Sequence, residues 1–471
     1  MLYIHWLVLL IYGLLTLGAM MAVLLDRKEP AKTMAWLLVL LFLPIVGIVL
    51  FFFFGQNTRR KRMIGRKTLG QIRKRSMTDY LSQVNSAFPL DQKELIQLFV
   101  NQNYAFPFKD NDVDIFVTGK DLFDDMIASI RAAKSHIHLE TYIFEDDELG
   151  NRIADALMEK SRQGIEVRLL YDDVGCWNVS DSFFERMKMD GVDVRSFLPV
   201  RFPLFTSKMN YRNHRKICVI DGTIGYIGGM NIADRYVNGT PKQSWRDTHL
   251  KITGKAVYGL QSTFLADWFF MDRTLITDRK YYPAIAPSVV NDCYVQIVTS
   301  SSADKWCNIM QGYVKILNDA KHYVYMESPY FLPTQPVLFA MQTAALSGVD
   351  VQILLPERGD SRIVDVAGRS FFSEVIKAGV KVNLYTAGFN HTKLLVCDDC
   401  ISSVGSTNID SRSFENNMEV NAFIYDSDVA IRLRNVFEND MQYAKPVESV
   451  QTQPLLQRLW QSIVRILTPL L

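Results

Sequence analysis

Residues 213–221 read NHRKICVID and residues 390–398 read NHTKLLVCD, so the chain carries His, Lys and Asp twice at the same spacing. Each copy leads into a turn and a second apolar stretch that ends in two small residues, one variable residue and Asn. The shared pattern is H-x-K-x4-D-x6-G-[GS]-x-N. A single H-x-K would carry little information, but two copies of so long a pattern indicate that the chain contains a duplicated unit.

Other segments repeat in the same order. IRAAKSHIHLETYIF (130–144) resembles LNDAKHYVYMESPYF (317–331), and GIEVRLLYDD (164–173) resembles GVDVQILLPE (348–357). In the first pair, a helix end leads into an apolar strand that carries a carboxylate, Glu140 or Glu327. Helical stretches separate the strands, so each half alternates β and α. The sequence therefore predicts an α/β fold class, with two tandem units that each hold a parallel or mixed sheet covered by helices.

Composition restricts the kind of protein. The chain has 471 residues, 48% of them hydrophobic and 22% charged, which is typical of two or three globular domains. A net charge of +2 is too small to indicate a nucleic-acid-binding protein, so we expect no nucleic-acid partner. The six cysteines show no framework spacing, and the lone C-x-x-C at Cys397 and Cys400 lacks the second pair that a zinc site needs.

The first 57 residues are strongly apolar. Residues 2–25 contain no Asp, Glu, Lys or Arg, with His5 as their only histidine, and residues 34–55 contain none of these five. Each stretch is long enough to cross a bilayer, so we predict a two-helix transmembrane hairpin; a cleaved signal peptide is the alternative for the first stretch. By the positive-inside rule, nine Lys and Arg in residues 56–75 predict that this run and the rest of the chain lie on the cytoplasmic side of the membrane. Attraction of the run to anionic lipid head groups is an added interpretation.

The spacing within the repeat suits a phosphate ligand. In a strand, His214 and Lys216, like His391 and Lys393, project from one face about 7 Å apart. The ammonium neutralises phosphate oxygens, and an uncharged imidazole attacks phosphorus or transfers a proton. The amides that follow, Asn231 and Asn408, add hydrogen-bond donors for phosphate oxygens.

The remaining motif positions have more than one interpretation. Asp221 and Asp398 belong to the motif and are candidate catalytic residues, but both open a turn, and a structural role is favoured. Small residues end the returning strands, where we expect them to let a ligand approach the backbone. These four supporting positions are Gly228, Gly229, Gly405 and Ser406.

Over residues 105–445 the sequence resembles the phospholipase D superfamily, and within it the bacterial cardiolipin synthase family. The resemblance rests on both H-x-K motifs and on ETYIFEDDELG, WRDTHLKITG, ESPYF and GSTNIDSRSFENNMEVN. It implies that two α/β/α sandwich domains pack about a pseudo-twofold axis and bring both motifs into one active site. It also implies a phosphohistidine, assigned by analogy to His214, with the other histidine as general acid and base. Asp247 and Glu419 match the family's supporting carboxylates, 33 residues after His214 and 28 after His391.

The implied reaction joins two phosphatidylglycerols into cardiolipin and glycerol, at an anionic phospholipid membrane. We find no Walker A loop and no D-x-x-D-G-x-x-A-R pattern of metal-dependent enzymes, so no cofactor and no metal are expected. Alternatives within the superfamily are a hydrolytic phospholipase D, a phosphatidylserine synthase and a nuclease. A non-catalytic membrane scaffold is the alternative from another class. The sequence does not indicate the oligomeric state.

The predicted organisation has five parts. They are a transmembrane hairpin (1–57), a basic juxtamembrane linker (58–104), a first half (105–285), a second half (286–445) and a C-terminal amphipathic helix (446–471). In the last part, PLLQRLWQSIVRILTPLL (454–471) places leucines and isoleucines along one stripe, with Trp460 at its flank. This helix either packs on its own domain or lies in the membrane interface, and we favour the interface.

Overall fold

The computed structural model describes residues 2–25, 30–51, 90–200, 211–285, 290–448, 455–466 and 468. The predicted basic run 56–75 lies outside them. The N-terminal helices are α1 (Leu2–Leu25), α2 (Pro30–Phe42) and α3 (Pro44–Leu50). Pro44 separates the last two because its ring disfavours helical backbone at the residue before it. Among the described residues, no helix is both long enough and apolar enough to cross a bilayer, so the two predicted transmembrane spans are not supported.

The N-terminal helices form one compact unit, and a second unit holds all the described strands. Helix α4 (Lys93–Asn103) and strand β1 (Pro107–Phe108) come first in the second unit. The first half then alternates strands and helices: β2 (Asn111–Phe116), α5 (Gly119–Ala132), β3 (His136–Thr141), α6 (Glu148–Arg162), β4 (Glu166–Asp172), α7 (Asp181–Met189), β5 (Asp193–Phe197), β6 (Ile217–Ile220), β7 (Ile224–Gly228), α8 (Arg235–Asn238), β8 (Trp245–Arg246), β9 (His249–Gly254) and α9 (Val257–Asp272).

The second half follows the same plan. Its elements are β10 (Tyr294–Ser300), α10 (Asn308–Asp319), β11 (Tyr323–Glu327), β12 (Phe331–Leu332), α11 (Gln335–Leu346), β13 (Asp350–Pro356), α12 (Arg362–Arg369), α13 (Phe372–Ile376), β14 (Lys381–Tyr385), β15 (Phe389–Asn390), β16 (Leu394–Cys397), β17 (Ile401–Gly405), β18 (Ile409–Asp410), α14 (Ser411–Glu415), β19 (Glu419–Tyr425), α15 (Ser427–Met441) and β20 (Ala444–Pro446). Helix α16 (Leu455–Ile466) ends the described chain.

Sheet topology shows the duplication directly. The first sheet has the order β2-β9-β7-β6-β3-β4-β5, and the second contains β10-β19-β17-β16-β11-β13-β14, the same succession of seven equivalent strands. In each sheet the three strands of the β-α-β run are parallel, and the other neighbours are antiparallel. The predicted mixed α/β halves are therefore present.

One boundary differs from the prediction. Residues 93–108, assigned to the linker and the start of the first half, complete the second half instead. Strand β1 extends the second sheet by pairing with β10, and Phe99 of α4 packs into the core of that half. The Gln296 amide, buried in β10, donates to the Ile96 carbonyl at 3.1 Å. Sequence order alone does not show this, because a strand can join any sheet edge that its connection reaches.

The two sheets share a core. Residues of β6, β7 and β9 pack against residues of β10, β16, β17 and β19 in a single apolar cluster, which includes Ile217, Ile227, Leu250, Val295, Val404 and Ile424. Strands buried on both faces need continuous apolar runs, which explains why β6 reads ICVI and β16 reads LLVC. This packing fixes the first motif relative to the second.

Candidate active site

Each H-x-K segment comes directly before a central strand. Strands β6 and β16 begin at Ile217 and Leu394, one residue after each lysine. The His and Lys residues were predicted to lie within a strand, but they come just before these strands, where their backbone pairs across the halves. The His214 amide donates to the Met418 carbonyl at 2.9 Å, and the His391 amide donates to the Arg246 carbonyl at 2.7 Å. Met418 and Arg246 directly precede Glu419 and Asp247, so each motif lies next to the supporting carboxylate of the other half.

The supporting carboxylates are exchanged between the halves. His214 Nδ1 lies 3.1 Å from Glu419 Oε2, and His391 Nδ1 lies 2.6 Å from Asp247 Oδ2. The assignment of Asp247 to His214 and of Glu419 to His391, made in chain order, is wrong. It fails because the backbone pairing across the halves, which is parallel, brings each histidine next to the carboxylate of the other half.

The charges of these pairs suit an unprotonated nucleophile. Burial lowers the pKa of His391 to about 3 and also lowers the pKa of His214, so both rings are neutral at neutral pH. Burial disfavours the charged form of Asp247, yet Lys393 and His391 outweigh it and lower the pKa of this carboxyl. The pKa of Glu419 is lowered in the same way by His214 and Lys216, against its burial. An ionised carboxylate at Nδ1 fixes the proton there and leaves the Nε2 lone pair free.

The two lysines are buried, and among the described residues neither has a carboxylate within hydrogen-bond distance. Lys216 Nζ donates to the His214 carbonyl at 2.6 Å, and Lys393 Nζ donates to the His391 carbonyl. Asp247 Oδ2 lies 3.9 Å from Lys393 Nζ. Burial lowers the pKa of Lys216 to about 7 and that of Lys393 to about 8. Asp247 and Glu419 raise both pKa values only in part, and a bound phosphate would add negative charge and favour both ammonium groups, so the pair is suited to bind an anion.

The two predicted asparagines differ in their contacts. Asn231 Nδ2 donates to the Tyr236 hydroxyl at 2.6 Å, and its Oδ1 accepts from the Ile143 amide. Asn408 is buried, and its Oδ1 has no hydrogen-bond partner among the described residues. The Asn408 side chain is therefore better placed to contact a ligand than that of Asn231.

The two motif aspartates are structural. Asp221 accepts from the backbone amides of residues 134–136, and Asp398 accepts from those of residues 321–323. Each sits at the far end of its strand from the lysine, about 16 Å of extended chain away. These contacts favour the structural interpretation over a catalytic role, because the carboxylate oxygens hold the loops that lead into β3 and β11.

This role gives a prediction for stability. We expect Asp221→Ala and Asp398→Ala each to lower the free energy of unfolding by about 2 kcal/mol or more, since three amides lose their acceptor. The left-handed φ of 53° at Asp221 adds strain for alanine, whereas asparagine tolerates it. Denaturant unfolding in detergent should show Asp221→Asn to be the milder change, with kcat of the folded fraction nearly unchanged in all three variants. A large loss of kcat in a stable Asp221→Asn protein would contradict the structural role.

The small residues after the motif pack closely against other residues of the chain. A Cβ added to Gly229 would lie 2.2 Å from Asp247 Oδ1, and one added to Gly228 would lie 2.5 Å from His249 Cα. At Gly405 a Cβ would meet the Val420 carbonyl oxygen at 2.3 Å. Ser406 donates its hydroxyl to Glu419 and places its carbonyl 3.1 Å from His214 Nδ1. Close packing within the chain, against a supporting carboxylate at Gly229 and Ser406, therefore accounts for the small residues at these positions, and ligand approach there stays a prediction.

Sequence reasoning missed a second layer behind the histidines. The residue before each histidine, Asn213 or Asn390, donates its side-chain amide to a buried glutamate, Glu140 or Glu327. Each asparagine Oδ1 accepts from the backbone amide two residues on, at 3.2 Å and 3.0 Å, and so fixes the backbone around the histidine. Each half of the sequence contains one such asparagine and one such glutamate at equivalent positions, and this repetition was the signal that could have pointed to them. Nothing in the spacing showed that they touch.

No group of three or more His, Cys, Asp and Glu side chains is arranged to hold a metal ion in the part of the chain that the structure describes.

Comparison with known proteins agrees with this geometry. Residues 126–268 and 313–441 match the family described as cardiolipin synthase, PLD-like domain, and residues 14–56 match the phospholipase D-nuclease N-terminal family. The major cardiolipin synthase ClsA of Bacillus subtilis (strain 168) is 38% identical over 466 residues, with 96% of both chains covered. The cardiolipin synthase of Listeria monocytogenes serotype 4b (strain F2365) is 39% identical over 471 residues, with the same coverage.

One solved structure shares the fold. The crystal structure of phosphatidylserine synthase from Haemophilus influenzae Rd KW20 matches with a TM-score of 0.62 and 15% identity, covering 81% of this chain and all of that one. At this identity the likeness shows the architecture alone. The sequence relatives show more, since their similarity extends over nearly the whole chain. The chain belongs to the cardiolipin synthase family of phospholipase D-like proteins.

Proposed function

We propose that the chain transfers the phosphatidyl group of one phosphatidylglycerol to the head group of a second, forming cardiolipin and releasing glycerol. The observation that carries the proposal is the crossed pair of neutral histidines, each on an ionised carboxylate and beside a buried lysine. Two imidazoles in one site allow one to form the covalent bond while the other moves the proton.

The steps balance without an energy source. When the substrate phosphate binds, His391 takes up a proton from solvent at Nε2. His214 Nε2 then attacks phosphorus, the bond from phosphorus to the glycerol oxygen breaks, and the His391 Nε2 proton passes to the leaving oxygen. A hydroxyl of the second lipid then attacks the phosphohistidine, His391 takes its proton, and His214 leaves. Bound phosphate offsets the charges of Lys216 and Lys393, which lower the pKa of His391, so Asp247 can then stabilise the imidazolium.

The phosphohistidine keeps the transfer potential of the broken phosphodiester bond in its phosphorus–nitrogen bond, so the proposed reaction needs no nucleotide. A hydrolase and a phosphatidylserine synthase would use the same residues and differ only in the acceptor, water or serine. Membership of the cardiolipin synthase family favours phosphatidylglycerol as the acceptor. Asn408, whose buried oxygen lacks a partner among the described residues, is the proposed side chain for contact with the phosphate or the acceptor.

We also propose that the enzyme works at the bacterial inner membrane, attached through its N-terminal segment, with the catalytic domain on the cytoplasmic side. The match of residues 14–56 to an N-terminal family and the nine basic residues in 56–75 support this placement. Protease added to intact spheroplasts should leave a C-terminal tag uncut until the cells are lysed. Cleavage before lysis would reverse the orientation.

The activity itself is directly testable. We expect purified enzyme with labelled phosphatidylglycerol alone to yield cardiolipin and glycerol in equal amounts, without CTP or CDP-diacylglycerol. EDTA should leave the rate unchanged, because lysines and asparagines supply the charge stabilisation. Chromatography and mass spectrometry of the products measure both points, with His214→Ala as the inactive control. Phosphatidic acid as the main product would reassign the enzyme to hydrolysis, and a rate that requires an added divalent cation would contradict the metal-free mechanism.

A further inference from the structure

The C-terminal helix α16 is attached to the catalytic domain by one edge. Val464 is buried, with 1% of its surface exposed, in the core that contains Phe371 and Phe372. The Arg465 guanidinium lies over the Phe371 ring at 4.1 Å and pairs with Glu374 at 2.7 Å. Of the two predicted alternatives, packing on the domain is therefore present, and it holds the helix in a defined orientation.

The opposite side of α16 remains apolar and exposed. Leu456 and Ile466 expose 80% and 77% of their surface, and the exposed set, here called the docking face, comprises Leu456, Leu459, Trp460, Ile463 and Ile466. Ile363 of the neighbouring helix α12 is also exposed. Five large apolar side chains on a 12-residue helix far exceed the scattered exposure that is normal for a soluble surface.

The C-terminal segment that carries the docking face is attached to elements that adjoin residues of the active site. The Ser411 hydroxyl, three residues after Asn408 of the second motif, donates to the Thr468 carbonyl at 3.1 Å. Helix α16 also packs against helix α12, which follows Asp360. The Asp360 carboxylate accepts a hydrogen bond from the Tyr330 hydroxyl at 2.8 Å, and its charge raises the pKa of Lys393. Both attachments of α16 thus connect it to elements that carry residues of the site.

We propose that the docking face inserts into the interfacial layer of an anionic phospholipid bilayer and holds the active site at head-group level. Residues 449–471 contain Arg458 and Arg465 and no acidic residue, which complements an anionic surface. Trp and Leu on one face are typical of helices that lie in the interface. The proposal rests on the proposed function, in which both substrates are bilayer lipids and the site must reach their phosphates.

The test separates this role from stability. Leu456→Ser, Leu459→Ser and Trp460→Ser are combined in full-length enzyme, because deletion of the helix would also remove the buried Val464. The control combines Met189→Ser and Leu346→Ser, two exposed residues at helix ends outside the docking face. Activity is measured on phosphatidylglycerol in vesicles and in detergent mixed micelles. We expect the ratio of vesicle to micelle rate to fall about tenfold in the triple variant and to stay constant in the control, with melting temperatures unchanged.

A second readout does not depend on turnover. In proteoliposomes that contain lipids brominated along the acyl chain, a larger fraction of the fluorescence should be quenched in wild type than in Trp460→Phe, because Trp6 and Trp36 of the N-terminal helices are common to both proteins. Equal losses on vesicles and micelles, without such quenching, would mean that the face serves the fold or the site. Loss of a dimer in light scattering of the triple variant would assign the face to a second copy of the chain. If Trp460 is quenched but the wild-type enzyme makes no cardiolipin, the proposed function is wrong and the membrane docking of the face stands.

Discussion

Turnover falls by at least ~10⁴-fold when either His214 or His391 is replaced by alanine, and the double replacement costs scarcely more, because the two rings act as one unit. The physical reason is that neither ring can supply both the covalent bond and the proton. Rates of cardiolipin formation from phosphatidylglycerol measure this result. His322→Ala, which changes an exposed histidine, serves as the control and should keep wild-type activity. Additive losses in the double variant would show that the histidines act independently.

Trapped enzyme identifies the nucleophile. Acid quenching with labelled lipid, followed by peptide mapping under conditions that preserve phosphohistidine, should place the label on the peptide with His214. A labelled peptide with His391 would exchange the two roles and leave the rest of the mechanism in place.

Asp247→Asn reproduces the defect of His391→Ala, and Glu419→Gln reproduces that of His214→Ala, each with a loss of about 10³–10⁴-fold on phosphatidylglycerol. The pairing follows from the distances of 2.6 Å and 3.1 Å that join these carboxylates to the histidines of the other half. An amide in either place can donate to Nδ1 and select the wrong tautomer, and it cannot stabilise the imidazolium. Asp114→Asn, an exposed carboxylate on β2, is the control.

A substrate with a good leaving group distinguishes the two classes of variant. Phosphatidyl-p-nitrophenol needs no protonated leaving oxygen, so Asp247→Asn and His391→Ala should still release a burst of about one p-nitrophenolate per enzyme. His214→Ala and Glu419→Gln should show no burst, because the attacking ring is absent or held in the wrong tautomer. Stopped-flow absorbance measures the burst. If His214→Ala shows no burst, a burst that survives in Glu419→Gln and disappears in Asp247→Asn would restore the pairing in chain order.

The sequence predicted the duplicated α/β halves and the paired motifs because these depend on local patterns. Strand periodicity, turn residues and repeated segments are readable within windows of ten to twenty residues. The repeated H-x-K motifs and the helix that contains Trp460 are of this kind.

The exchange of Asp247 and Glu419 was not readable, since it depends on pairing between segments about 150–200 residues apart. The same holds for β1, which joins the second sheet although it precedes the first half in the chain. The contacts of Gly228 and Gly229 were not readable for a related reason. A small residue indicates that another group comes close to the backbone, but it does not show whether that group belongs to a ligand or to the protein.

The crossed carboxylates also bear on how such a chain arose. A half with one H-x-K segment and one carboxylate cannot pair its own histidine with its own carboxylate, because that carboxylate contacts the histidine of the other half. A single-copy ancestor could work only as a twofold dimer in which each partner supplied the other's carboxylate. Gene fusion would have converted that symmetric contact into the present internal one. Once fused, the two histidines were free to specialise, one as nucleophile and one as proton carrier, while neither half could be lost.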